Sequence, residues 1–260
     1  MSERLRYEET HWSRENDVAK ALKKYLELAG REYNRTKIKL FRKLLPDVNG
    51  SSILDYGGGA GIMSVPLAKD GAKVVLVDAE LNGLKTAEYY AKKEGVDGDI
   101  RTIHSEIFPV ELKESCFDIV IAKDILEHID KDFDFIANLA SCQKKGGILL
   151  LSTQNSLSLN YFIEGGYQKY VLGNRKWCGW DATHFRFYTY LDLKNMLKRA
   201  GYIPLRWAGA YLIPYNILSY FTLGRIKIDM LSLHYLDLTL GHIFPFNRLG
   251  WNIIVMAKKI

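Results

Sequence analysis

Cysteine is scarce in this chain. Cys116, Cys142 and Cys178 are odd in number, far apart and without a Cys-x-x-Cys pair. That excludes a disulfide framework and a thiolate zinc site; no metal site is expected, and a reducing, cytoplasmic setting is. A leader-like apolar run is lacking too: Glu3, Glu8 and Glu9 stand among the first residues, unlike a signal peptide. The most apolar stretch, Tyr202 to Gly224, is broken by Pro204, Arg206 and Pro214 and followed by Arg225, Lys227 and Asp229. It is a poor spanning segment, although peripheral contact with a bilayer surface stays open. Nor does charge of one sign dominate. Of the net +6, residues 1–45 contribute +5, with 12 Lys/Arg against 7 Asp/Glu. Because acids are interleaved throughout, this is read as a solvated helical face, and no nucleic-acid partner is expected. At 260 residues, 48% hydrophobic and 25% charged, the composition is that of a globular protein able to bury one core.

What is present is organised around Ile53-Leu54-Asp55-Tyr56-Gly57-Gly58-Gly59-Ala60-Gly61. It reads as an apolar strand, Ser52 to Tyr56, running into a glycine-dense turn and then a helix from Ile62 to Asp70. Glycines at such a turn let backbone N–H groups approach a ligand closely. The spacing is Asp-x-Gly-x-Gly-x-Gly. Ile62 stands where the third glycine of a dinucleotide site would fall. Asp55 would repel a pyrophosphate and suits a ligand bearing an ammonium or sulfonium group.

This stretch resembles the first motif of the class I S-adenosylmethionine-dependent methyltransferases. The resemblance implies that Asp55, Gly57, Gly59 and Gly61 bind the cofactor. A second apolar strand, Lys73 to Val77, ends in Asp78, 17 residues beyond Gly61. That is close to the roughly 20-residue offset at which an acid accepts both ribose hydroxyls, so Asp78 is assigned to the ribose. A helix over Leu81–Glu94, stopped by Gly95, leads to a third strand, Asp99 to His104. At its exit the resemblance implies an adenine reader, either Ser105 or Glu106. The fourth strand and its sequel, Phe117-Asp118-Ile119-Val120-Ile121-Ala122-Lys123-Asp124-Ile125-Leu126-Glu127-His128-Ile129, are similar to the motif lining the transfer site in the family's small-molecule branch. That similarity places Lys123 and His128 at the site and leaves Asp118, at the strand's start, structural. His128 either approaches the reacting atoms or closes the turn.

A helix over Phe133–Lys145, stopped by Gly146-Gly147, precedes a fifth strand, Ile148 to Thr153. Ser152-Thr153-Gln154-Asn155 and the later Thr183-His184-Phe185-Arg186-Phe187-Tyr188 resemble segments of ubiquinone-biosynthesis O-methyltransferases. Between them, Tyr161, Phe162, Tyr167, Tyr170, Trp177 and Trp180 crowd a glycine-containing loop. It is read as a lid, within 156–182, over a partly apolar small-molecule acceptor, with burial against the N-terminal helices as the alternative. His184 is the first candidate for a general base, since an imidazole titrates near pH 6.5; Arg186 is its charged neighbour or a holder of an acidic substrate group.

The N-terminal 1–45 reads as two cap helices, the first capped by Ser13 and the second spanning Asn34–Leu45. Residues 46–260 read as the main domain, with a helix over Leu191–Ala200, strands at Tyr202–Trp207 and Trp251–Ala257, and a cap insertion over 208–250. The alternation implies an α/β fold: a Rossmann-like, seven-stranded, mostly parallel sheet with an antiparallel edge and helices on both faces. The expected activity is methyl transfer from S-adenosylmethionine to a hydroxyl oxygen, with His184 or His128 as base. Transfer to nitrogen or carbon, a nicotinamide-dependent oxidoreductase and a non-catalytic cofactor-binding or lipid-surface module are the alternatives. No Asn/Asp-Pro-Pro-Tyr segment follows the fourth strand, which argues against exocyclic-amino methylation. The acceptor's identity and the oligomeric state are not legible.

Overall fold

The computed structural model describes residues 11–106, 112, 116–175, 177, 179, 183–218, 222 and 230–260. Seven strands form one sheet in the order β3-β2-β1-β4-β5-β7-β6. They are β1 Ser52–Tyr56, β2 Lys73–Asp78, β3 Ile100–His104, β4 Phe117–Lys123, β5 Gln143–Gln154, β6 Tyr202–Ala210 and β7 Asn252–Lys259. The pairs among β1 to β5 are parallel, while β7 runs antiparallel to both β5 and β6. The expected α/β fold with an antiparallel pair closing one edge is therefore what the chain adopts.

Eight α-helices lie among the described residues: α1 Val18–Gly30, α2 Glu32–Leu44, α3 Ser64–Lys69, α4 Leu81–Glu94, α5 Asp132–Cys142, α6 Leu159–Gly166, α7 Tyr190–Arg199 and α8 His234–Leu240. Side-chain alternation along the strands splits the core into two layers. Ile53, Ile119, Ile121 and Ile254 pack on Leu40, Phe41 and Leu44 of α2 and Leu67 of α3. Leu54, Val120, Leu149 and Val255 face Phe135, Ile136 and Leu139 of α5 and Leu193 and Leu197 of α7.

Several boundaries differ from the sequence expectation, each for a local reason. Asp17, not Ser13, caps α1, its Oδ1 accepting from the N–H groups of Ala19 and Lys20; Ser13 sits in a preceding 3-10 turn. The second helix begins at Glu32, two residues before Asn34. Gly146-Gly147 is not a helix stop: α5 ends at Cys142, and the chain passes directly into β5, with Gln143 opposite Phe117 and a register shift before Ile119. Gly147 lies so close to β4 that a Cβ there would stand 2.8 Å from the Asp118 carbonyl oxygen. The first part of the span expected to be a glycine-containing loop is instead α6, continued by a π-helical turn over Tyr167–Val171. Asp118 is structural as expected. Its Oδ2 accepts from the Ser52 N–H and hydroxyl, and Lys144 lies 2.8 Å from Oδ1. Burial alone would raise its pKa, but these partners outweigh it and hold the carboxyl at about 2.

Candidate active site

The carboxyl ends of β1, β2 and β4 meet at the glycine turn, where a parallel sheet of this kind presents ligands. Gly57, Gly59 and Gly61 take φ of 75°, 56° and 82°, a region that side chains disfavour. Gly57 also passes Ile125 so closely that a Cβ would meet its Cδ1 at 2.6 Å. Asp55 lies buried beneath the turn rather than on it. Ser64 Oγ donates to its Oδ2 at 2.6 Å, and Gly58 rests directly on that oxygen. Burial raises the Asp55 pKa to about 6, with Asp78 adding to the rise while Ser64 and Lys123 oppose it. Asp55 thus braces the turn from below and supplies negative potential to whatever lies above.

Asp78 stands half-buried beside the same turn. Its Oδ2 accepts from the Gly59 N–H at 2.7 Å and its Oδ1 from the Glu80 N–H at 2.8 Å, which fixes the carboxylate while leaving lone pairs for a ligand diol. Burial raises its pKa, and those backbone donors counter the rise. Ser105 follows β3 directly, its N–H bonded to the Asp78 carbonyl oxygen at 3.0 Å, and Glu106 is exposed beside it. The structure thus brings Asp55, the glycines, Asp78 and Ser105 around one cradle.

The N-terminal segment closes over this cradle. The rings of Trp12 and Tyr25 meet at a tilt with centroids 4.6 Å apart, and both approach Gly59; Trp12 also lies against Gly83 of α4. The Tyr25 hydroxyl faces the backbone N–H groups of Ile62 and Ala60, and burial pushes its pKa up. The two N-terminal helices divide their work: α1 leans on the turn, while α2 packs on the sheet and sends Lys37 inward.

At the end of β4, Lys37 Nζ lies 2.5 Å from Asp124 Oδ2, and Lys123 Nζ lies 3.2 Å from the same oxygen. Ser152 and Asn252 donate to Asp124 Oδ1 at 2.8 and 3.0 Å. Asp124 has φ 55°, a left-handed backbone that this ring of partners holds in place. Burial alone would raise its pKa, but Lys37 and Lys123 prevail and hold it well below the usual carboxylate range. Lys123 is thereby occupied with Asp124, next to the glycine turn.

One turn on, Glu127 is fully buried. Its Oε2 accepts from Thr153 Oγ1 at 2.7 Å, and its Oε1 has no hydrogen-bond partner. Burial and the charge of Asp124 raise its pKa to about 7. His128 and His184 lie with ring centroids 4.7 Å apart. Thr183 Oγ1 is 2.7 Å from His128 Nδ1, and Gln154 Nε2 is 3.3 Å from His184 Nε2. One ligand atom each from Glu127, His128 and His184 falls within a 4.8 Å cluster, so these three offer either a proton relay or the donor set of a divalent cation. Arg186 is not free to hold a substrate acid: Nη1 pairs with Asp132 at 2.8 Å and Nη2 donates to the Asp130 carbonyl oxygen. Aromatic rings wall the same place, with Phe187 5.0 Å from Tyr161, 5.4 Å from Trp251 and stacked on Trp177 at 6.1 Å. Trp180, also expected in the lid, lies outside the described residues.

Sequence reasoning missed Lys37, Gln154 and Glu127 as site residues. Glu127 had a signal, its adjacency to His128 just after β4. Lys37 had none, since a lysine in a basic helix reads as solvent-facing.

A methyltransferase-domain family model matches residues 25–205. A ubiquinone biosynthesis O-methyltransferase of Rickettsia conorii is 33% identical over 133 residues, 51% of this chain and 45% of that protein. One from Dinoroseobacter shibae is 31% identical over 166 residues, 64% of this chain and 65% of that protein. The chain spans about half the length of the first of these relatives and somewhat more of the second. Among solved structures, magnesium protoporphyrin IX methyltransferase from Synechocystis PCC 6803 with bound SAH superposes with a TM-score of 0.62 at 16% identity, covering 91% of this chain and 93% of that one.

Proposed function

The chain belongs to the methyltransferase-domain family, whose members use S-adenosylmethionine, and on that premise we propose that it transfers the cofactor's methyl group to a hydroxyl oxygen of a small, partly apolar acceptor. The observation that carries this reading is the placement of Glu127, His128 and His184 as one cluster beside the cradle formed by Asp55, the glycine turn and Asp78. The sulfonium brings its own leaving group. The protein therefore has to align donor and acceptor, exclude water and remove one proton.

Asp78 would hold the ribose diol, the turn's N–H groups the amino-acid end, and Ser105 or Glu106 the adenine. Trp12 and Tyr25 would cover the bound cofactor. His184 takes the hydroxyl proton as oxygen attacks the methyl carbon, with His128 and Glu127 as neighbours able to share the charge. A second reading has specific support: the same three groups within 4.8 Å suit a divalent cation that would acidify the acceptor hydroxyl. The scarcity of thiols excluded only a sulfur-ligated site.

The decisive test is calorimetry with S-adenosylmethionine and with NAD, followed by transfer of a labelled methyl group to phenol, lipid and carboxylate pools. Binding of the former and labelling of a phenol are expected; absence of S-adenosylmethionine binding would overturn the assignment. Loss of transfer after chelation, restored by Mg²⁺ or Zn²⁺, would select the cation reading over direct proton transfer.

An anionic bilayer surface is the partner that fits the lid's outer face. Phe162, Tyr170, Val171 and Leu172 are exposed, as are Tyr235 and Phe244. An apolar groove of about 370 Å³, lined by Leu157, Leu159, Phe162, Leu212, Leu240 and Phe246, joins α6 to α8. Glu164 and Asp237, the sole acids of 156–175 and 230–250, are buried, while Arg175 is exposed. Among the described residues no helix is long and apolar enough to cross a membrane, so contact would be superficial. Cosedimentation with phosphatidylglycerol-containing vesicles and not with pure phosphatidylcholine is expected; no sedimentation with either refutes it.

A further inference from the structure

Ten buried side-chain polar atoms among the described residues have no hydrogen-bond partner. Five of them belong to Glu127, Gln154, Asn160 and Glu164. Glu127 and Gln154 adjoin His184. Asn160 and Glu164 stand one turn apart on α6, so they share a face of that helix.

Both atoms of the Asn160 amide, Oδ1 and Nδ2, are unpartnered, and the residue is 0% exposed. Glu164 is 4% exposed; its Oε1 accepts from Gln168 Nε2 at 2.9 Å, while its Oε2 is unpartnered. The same helix is held against the aromatic wall. A Cβ on Gly165 would meet the Trp177 ring at 2.8 Å, Trp177 stacks on Phe187, and Phe187 meets His184 at 6.1 Å. Unmet buried donors and acceptors cost folding free energy, so natural proteins rarely keep them without a partner in the working state. Glu127 and Gln154 lie beside His184, and the helix that carries Asn160 and Glu164 reaches the same histidine through Trp177 and Phe187.

We infer that Asn160 and Glu164 are specificity-determining residues that read a hydroxyl at the far end of the acceptor from the oxygen being methylated. The inference rests on the acceptor reading of His184 given above. The donor and acceptor pattern selects the group: Glu164 Oε2 and Asn160 Oδ1 accept, and Asn160 Nδ2 donates. A hydroxyl both donates and accepts and so can answer two of these at once. An alkyl end can answer none, and would leave the amide and the carboxylate oxygen unpaired beneath it. A site built to hydrogen-bond a polar group discriminates strongly against the analogue lacking it.

The test has two arms on the full chain. In the first, thermal unfolding without acceptor compares wild type with Asn160→Leu and Glu164→Gln. Asn160→Leu replaces two unpaired polar atoms by methyl groups on the same branched skeleton, so its Tm should equal or exceed that of wild type; a fall of several degrees would mean that the amide is structurally satisfied and would overturn the inference. In the second, titration calorimetry with saturating S-adenosylhomocysteine compares 4-ethylphenol with 4-(2-hydroxyethyl)phenol. Wild type should prefer the hydroxylated probe by tenfold or more. Asn160→Leu should reduce that ratio to near one, and Glu164→Gln should lower it while keeping the bond from Gln168. An unchanged ratio in both variants would overturn the inference with the acceptor reading intact. If wild type binds neither phenol, the acceptor reading fails instead, and the thermal arm alone decides on Asn160.

Discussion

Replacing Glu127 by Gln gives opposite expectations for stability and for turnover. Glu127 is fully buried, and its carboxyl titrates at about 7, against an ordinary value of 4.5, because of burial and the charge of Asp124. A folded-state pKa raised above the unfolded one means that the protonated form is favoured by folding. The associated stability is fully present below about pH 4.5 and is lost as pH rises through about 7. The whole interval corresponds to about 3 kcal/mol. Gln keeps the shape, carries no charge at any pH and still offers an oxygen to Thr153 Oγ1, which donates to Glu127 Oε2 in the native protein. Urea denaturation at pH 5 and at pH 8.5 should show Glu127→Gln gaining about 2–3 kcal/mol over wild type between the two. Taking the difference between variant and wild type cancels the parallel contribution of Asp55, whose raised pKa of about 6 acts in the same direction. Methyl transfer should fall by about 100-fold or more in the same variant if the carboxyl shares the proton taken by His184. Parallel stability profiles for the two proteins, within about 0.5 kcal/mol, would refute the assignment of an uncompensated buried carboxyl.

Lys37→Met removes the partner of Asp124 at 2.5 Å; breaking a buried pair costs about 3–5 kcal/mol, and the low end is expected because Lys123, Ser152 and Asn252 remain. Denaturant midpoints check this, and adding Asp124→Asn should recover part of the loss. His184→Ala should lower turnover about 100-fold or more with cofactor affinity unchanged by calorimetry; a wild-type rate removes it as base. Asp78→Asn should weaken S-adenosylmethionine binding by about tenfold or more, since a charged acceptor for the diol becomes a neutral one. Gly61→Ala, at φ 82° with Val65 Cγ2 3.2 Å from the new Cβ, should cost about 1–2 kcal/mol in thermal or urea unfolding.

The part of the candidate site proposed for the donor was legible because it is local. Asp55, Gly57, Gly59 and Gly61 lie on one strand and turn, and Asp78 follows one βα unit later, so spacing alone conveys the geometry. The part proposed for the acceptor was legible only as candidates. His128 and His184 are 56 residues apart in the chain, and no period in the sequence says that their rings meet at 4.7 Å. Arg186 shows the converse: beside His184 in sequence it looked available, and Asp132 claims it in space.

By itself, the sequence determined the α/β class and the glycine turn between Asp55 and Asp78, because hydrophobic period and glycine spacing act over short chain distances. Tertiary packing alone decided which charges are buried. It turned Lys37 of a basic helix inward onto Asp124, placed Asp55 under the turn rather than on it, and left Glu127, Asn160 and Glu164 holding unmet polar atoms. Desolvation depends on every neighbour in three dimensions, and so do the chemistry and the specificity that follow from it.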